Sequence, residues 1–124
     1  MHDPSVVKTL LFTDIEGSTR LWAQAPGPMR SALAHHDALL RAAVDSNRGT
    51  IVKTTGDGIY ATFEDPLDGL HATLSIQRML ADPAATSDIQ LRVRCALHVG
   101  VVEHRDGDYF GTAVNRAARI MSAA

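Results

Sequence analysis

The sequence predicts an α+β fold, a ferredoxin-like (palm-type) sandwich in which helices pack on one face of an antiparallel or mixed sheet. Three observations predict it. The elements read in the order strand, helices, hairpin, helix, strand, helix. The hairpin arms are joined by so few residues that at least one strand pair must be antiparallel. No internal repeat or low-complexity tract points to a solenoid or a disordered chain. At 124 residues the chain is long enough for one domain and too short for two.

Each element has its own signal. Val6 to Thr13 is short, apolar and β-branched at its start, which predicts a buried strand. The sequence DIEGST follows, with the residues of a sharp turn and a helix N-cap. A short helix is expected from Ser18 to Gln24, stopping near Pro26 and Pro28. Met29, Leu33, His36, Leu40, Ala43 and Val44 recur at helical spacing, with Gly49 at the C-cap. Thr50 to Thr54 and Ile59 to Phe63 read as the arms of a hairpin turning at Gly56-Asp57-Gly58. Asp65 and Pro66 carry the N-cap and first position of a third helix, whose apolar face is read as Leu67, Leu70 and Leu74. ADPAATSD is a loop. Ile89 to Val102 is a long strand with Leu91, Val93, Cys95, Leu97 and Val99 on one face, HRDGD is a turn, and a last helix starts near Gly111. That helix carries no stop signal before Ala124, which reads as a domain cut short.

Bulk properties narrow the function classes. Hydrophobic residues make up 45% and charged residues 21%, the balance of a soluble globular protein. A net charge of −2 argues against a nucleic-acid binder held by a broad basic surface. The single Cys95 has no partner for an internal disulfide and reads as a small core residue. There is no signal-peptide pattern and no apolar run long enough for a membrane segment, so the expected location is cytoplasmic. A core of this size would gain from an oligomer that buries more surface.

Several residue patterns could carry chemistry. Asp14 stands where an apolar strand ends and a helix begins, a place for a Mg²⁺-binding carboxylate beside free N–H groups; it reads equally as a turn residue. Asp57 sits between glycines that let a ligand approach the backbone, although most Asp-Gly turns are structural. Together the two carboxylates could share two metal ions across a phosphoryl transfer. The GxxxxGK[ST] pattern is absent, which excludes a P-loop enzyme. Asn115 and Arg119, four apart on the last helix, share one face and could stabilise charge at a phosphate, or simply be solvated. Lys53 and Asp108 offer a donor and an acceptor that could read a purine edge.

In this order, LLFTDIEGSTRLW, IVKTTGDGIYATF and LHVGVVEHRDGDYFGTAVNRAARI resemble the class III adenylyl/guanylyl cyclase catalytic domain. FTDIEGST looks like the form common in its bacterial members. The resemblance spans Val6 to Ile120. It implies that Asp14 and Asp57 bind two divalent metal ions, Mg²⁺ or Mn²⁺, with the backbone carbonyl of Ile15. It implies that Ile15, Glu16, Gly17, Ser18 and Thr19 hold the triphosphate through their backbone, with Thr55 and Gly56 also in the substrate-binding set. Lys53 and Asp108 match the pair that selects adenine, where guanylyl cyclases typically carry Glu and a small residue such as Cys. Asn115 matches the residue that orients the ribose, and Arg119 the one that stabilises the transition state. The activity implied is adenylate cyclase: ATP to 3′,5′-cyclic AMP and pyrophosphate, for intracellular signalling. The partner implied is a second copy, in a head-to-tail homodimer with shared sites, with no nucleic acid and no membrane segment. The family continues past this helix, so residues 1–124 are expected to be one catalytic domain lacking its C-terminal part. The alternative is a catalytically inactive cyclase-like module for nucleotide binding or dimerisation. TTGDG differs from a GGDEF-type turn, which sets a diguanylate cyclase aside.

Overall fold

The computed structural model describes residues 5–82, 89–105, 108–111, 114–116 and 119. Its elements are β1 (Ser5–Ile15), α1 (Ser18–Gln24), α2 (Pro26–Ser46), β2 (Thr50–Thr55), β3 (Gly58–Phe63), α3 (Pro66–Ala81), β4 (Val93–Arg105) and β5 (Asp108–Phe110). The strands form one sheet in the order β2-β3-β1-β4-β5, and every neighbouring pair is antiparallel. This is the α+β sandwich that the element order predicts, with the sheet antiparallel rather than mixed.

Alternation along β1 divides the sheet into two faces. Leu11 and Ile15 join Ile59, Ala61 and Phe63 in the main core, covered by Met29, Ala32, Leu40 and Val44 of α2 and by Ala72, Ile76 and Leu80 of α3. Leu10, Tyr60 and Val102 form a second, smaller cluster on the other face, with Phe12, Val52 and Val114 packed against it. Phe12 and Tyr60 stack there with ring centroids 4.4 Å apart and planes 12° from parallel.

Local chemistry explains the element ends. Ala25 alone separates α1 from α2, and Pro26 opens α2 rather than sitting in a loop. The left-handed residue after α2 is Arg48, at φ 59°, not Gly49. Arg48 N–H donates to the Asp45 carbonyl at 3.3 Å and Gly49 N–H to the Val44 carbonyl at 2.9 Å, the paired bonds of a Schellman ending. Gly49 is glycine for space: a Cβ there would lie 2.4 Å from Phe63 Cε1. Asp65 caps α3 by accepting from the Leu67 N–H at 2.9 Å, with Pro66 first in the helix, as expected.

Three expectations are corrected. Leu67, Leu70 and Leu74 are exposed, and the buried face of α3 is Asp68, Gly69, Ala72, Ile76 and Leu80. The first turns of the helix lie so close to the sheet that a Cβ on Gly69 would be 2.9 Å from Thr9 Cγ2, so Gly69 and Ala72 face inward there, and larger residues, Ile76 and Leu80, only farther along. The last long strand begins at Val93 and continues to Arg105, so His104 and Arg105 of the expected turn are strand, and Asp108, its last residue, begins a fifth strand that runs to Phe110. Finally, the last helical residues do not join α1–α3: Val114 packs on the opposite face of the sheet. The expected loop lies outside the described residues over 83–88, and most of the last helix does so beyond Arg116, Arg119 excepted.

The hairpin between β2 and β3 has two features that matter for the site. Thr55 pairs with Gly58, which leaves Gly56 and Asp57 as a two-residue turn. Gly56 has φ 66°, a positive value at the first central position, where type II′ hairpins take glycine. The central pair is therefore Gly-Asp, not the Asp-Gly read from the sequence. Further down, the register jumps between Ile51↔Ala61 and Lys53↔Tyr60, so Val52 is the extra residue of a β-bulge.

Candidate active site

β1 ends beside the tip of the β2–β3 hairpin, and glycine makes that approach possible. A Cβ on Gly58 would stand 1.7 Å from the Thr13 carbonyl oxygen and 3.2 Å from Asp14 Cα. The Thr13 hydroxyl reinforces the contact by accepting from the Ile59 N–H at 3.0 Å. The turn that carries Asp57 is thereby fixed to the strand end that carries Asp14.

Asp14 lies on the Leu10–Phe12 face of the sheet, directly opposite Arg94 on β4. Arg94 grips it with both arms of its fork: Nε donates to Oδ1 at 2.7 Å and a terminal nitrogen to Oδ2 at 2.6 Å. The Arg94 pKa is raised first by this hydrogen bonding, against some loss from burial, and then by the charges of Asp14, Glu16 and Asp57. Asp14 alone touches the guanidinium; Glu16 and Asp57 act on it through their charge.

That convergence of charge tests whether the residues suit a divalent cation. The negative charges of Asp14, Glu16 and Asp57 are all felt at this point, and such a field favours a cation. All three donors are hard oxygens, which suit Mg²⁺ or Mn²⁺ rather than a softer metal. Among the described residues no group of three or more His, Cys, Asp or Glu is arranged to hold a metal alone. A Mg²⁺-type site needs no such group, because one or two carboxylates share the ion with water and substrate phosphates. The set fits.

The residues after Asp14 form a tight corner. The Ile15 side chain is buried in the main core, which anchors the end of β1. Glu16 N–H donates to the Arg92 carbonyl at 2.8 Å. Gly17 is the N-cap of α1 in the left-handed region, at φ 68°, and offers no side-chain cap to the N–H groups of Ser18 and Thr19. Glu16, Arg20, Leu21, Gln90 and Arg92 line a cavity of about 370 Å³ beside this corner.

The other sequence-predicted residues are placed as follows. Thr55 and Gly56 belong to the hairpin with Asp57. Lys53 is opposite Tyr60, its Nζ 5.9 Å from the ring centroid, on the same sheet face as Phe12 and Asp14. Asp108 begins β5, the edge strand farthest from β2, and its side chain lies outside the described residues. Asn115 and Arg119 are helical and exposed. Sequence reading sets Asp14 beside Asp57, and the structure seats the turn that carries Asp57 against the strand end that carries Asp14; it misses Arg94. Its signal is a basic residue in β4 whose partner depends on the β1–β4 register.

Comparison with known proteins agrees with this geometry. The model of the adenylate and guanylate cyclase catalytic domain matches residues 3–124. An uncharacterized protein of Mycobacterium tuberculosis is 35% identical over 123 residues, covering 98% of this chain and 41% of its own length. An adenylate cyclase of Lachancea kluyveri is 33% identical over 141 residues, covering 93% of this chain and 8% of that protein. Among solved structures, an adenylate cyclase of Trypanosoma brucei in its monomeric state superposes with TM-score 0.85 at 28% identity, over 100% of this chain and 72% of that one. An adenylate/guanylate cyclase/hydrolase from Silicibacter pomeroyi gives TM-score 0.78 at 30% identity, over 97% and 71%. The chain spans less than half the length of these curated relatives. With the family model matched along nearly its whole length, the chain belongs to the adenylate and guanylate cyclase catalytic domain family.

Proposed function

We propose that this domain is an adenylate cyclase, forming 3′,5′-cyclic AMP and pyrophosphate from ATP. The observation that carries the reading is the fixed approach of the Asp57 hairpin to the Asp14 strand end through Gly58. In the reaction the ribose 3′-oxygen bonds to the α-phosphorus as the bond to the β-phosphate bridging oxygen breaks. The 3′-hydroxyl proton leaves, and pyrophosphate is the leaving group. Asp14 and Asp57, with the backbone carbonyl of Ile15, would hold two divalent cations that lower the pKa of the 3′-hydroxyl and neutralise phosphate charge. The N–H groups from Ile15 to Thr19 would hold the triphosphate. Asn115 would orient the ribose, and Arg119 would bear on the charge developing at the α-phosphate. Little covalent chemistry is asked of the side chains, so the rate rests on position and charge.

Lys53 and Asp108 support ATP over GTP by their resemblance to the adenine-selecting pair. They stand on opposite edge strands, so both can reach one base only if the β4–β5 arm curls over the Lys53 face. The site is read as shared between two copies in a head-to-tail dimer, with the metal carboxylates from one and the base, ribose and transition-state groups from the other.

The test is product analysis with ATP and with GTP in Mn²⁺ and in Mg²⁺, across protein concentration. Cyclic AMP from ATP is expected, and Arg119→Ala should lower turnover about 100-fold. Cyclic GMP as the main product overturns the base assignment. A dimer with no product from either nucleotide overturns the enzyme reading in favour of a binding module. Unchanged turnover in Arg119→Ala removes that residue from the mechanism.

A further inference from the structure

The pairing of Arg94 with Asp14 has a consequence for metal binding that follows from charge: a guanidinium held against both carboxylate oxygens repels a cation approaching either one. A cation needs at least one Asp14 oxygen, and in the free chain Arg94 holds both, at 2.7 and 2.6 Å. The pair is not an accident of long flexible side chains. Asp14 and Arg94 are Cα partners across the β1–β4 ladder, so the sheet itself sets them face to face. Their side chains are 27% and 34% exposed, sheltered enough for the bond to persist and open enough for it to part. Two-point pairing of an arginine with a carboxylate is among the strongest side-chain contacts.

We propose that Arg94 is a latch on the metal position: in the nucleotide-free chain it occupies both oxygens of Asp14, so a divalent cation gains that carboxylate only as the pair opens. The inference rests on Asp14 being a metal ligand. Arg94 acts here as a positioning residue that competes with the cation. Glu16 and Asp57 add their charge to the hold on the guanidinium, so the groups that would welcome a metal are the ones that keep its competitor in place. The apparent affinity for metal is reduced by the fraction of time the pair spends open. A chain whose pair is open one-tenth of the time would bind about 10-fold more weakly than one without the latch.

The experiment titrates the purified chain with Mn²⁺ alone, following free Mn²⁺ by its electron paramagnetic resonance signal at constant ionic strength. Arg94→Gln should bind Mn²⁺ at least about 10-fold more tightly than the natural chain. Arg92→Gln removes an exposed positive charge two residues away and should change affinity less than about 2-fold. Arg94→Lys keeps a cation but not the fork, and should tighten binding by an intermediate factor. It also serves if Gln unsettles β4, with a thermal melt to report folding.

Equal or weaker binding in Arg94→Gln, or no measurable binding, overturns the latch. Equal tightening by Arg92→Gln overturns it as well, because net charge alone would then suffice. Asp14→Asn separates this inference from the reading beneath it. If Mn²⁺ binding survives Asp14→Asn, Asp14 is not the metal ligand and the cyclase mechanism loses that residue. If binding is lost in Asp14→Asn but unchanged in Arg94→Gln, Asp14 keeps its role and only the latch fails.

Discussion

A methyl group on Gly58 would sit 1.7 Å from the Thr13 carbonyl oxygen, and no flexible side chain stands between them to give way. Backbone would have to move, and with it the turn that carries Asp57. Gly58→Ala should therefore cost about 3 kcal/mol of folding stability. Gly56→Ala meets nothing within 4 Å and bears only its positive φ of 66°, a cost of about 1 kcal/mol. Denaturant unfolding of the two variants checks the difference, and equal losses would refute the close-approach account. The same residues show what sequence could and could not say about the site. Asp14 and Asp57 were legible because turn residues and glycines mark strand ends. Arg94 was not, because Arg92 and Arg94 occur at like positions in the pattern and only the Asp14↔Arg94 register singles one out.

Helices α2 and α3 are tied at their ends as well as along their packed faces. Arg48, left-handed at the close of α2, donates from Nε and a terminal nitrogen to Asp68 in the first turn of α3, at 3.1 and 2.8 Å. Hydrogen bonding from Arg48 holds the Asp68 carboxyl below its ordinary pKa, against the upward push of burial. A carboxyl lowered in the folded state stabilises the fold above its unfolded pKa of about 3.9 and ceases to do so as pH falls through the folded value. Asp68→Asn should thus lower the melting temperature at pH 7, and the gap from the natural chain should shrink with acidification below about pH 4. A gap that stays constant over that range would refute the tie. At this scale the caps were readable, as Asp65-Pro66 shows. The inner face of α3 was not. Its sequence holds two stripes at helical spacing, and the distance to the sheet, which admits Gly69 and Ala72 and excludes Leu70, is a tertiary quantity.

The two halves of the proposed chemistry come from different elements of the chain. Asp14 and Asp57 meet at the β1 end, whereas Asn115 and Arg119 belong to the helical residues after β5. A site shared by two copies makes a mixing test direct. Asp57→Asn and Arg119→Ala should each be nearly inactive alone. Random pairing makes half the dimers mixed, each with one intact site, so the mixture should recover about a quarter of natural activity. Activity per chain should also rise with protein concentration. No recovery on mixing, with dimers present, would place the whole site within one copy. The sheet order was legible only in part: the hairpin required β2 beside β3, but β1 between β3 and β4 follows from burial on both faces, and β5, three residues long, is too short to show a strand pattern.

The bulge at Val52 has a counting consequence. In an unbroken strand, neighbours point to opposite sides, and residues an odd number apart never share one. Here Thr50 and Lys53, three apart, both stand opposite residues of the Tyr60 side, because Val52 is skipped in the pairing. Parity is reversed for everything from Lys53 to the turn. Were the ladder regular from Ile51 onward, Val52 would take the place opposite Tyr60 and Lys53 would turn inward, toward α2. Lys53, proposed above to read the base, therefore owes its side of the sheet to one surplus residue upstream, a feature of number rather than of chemistry.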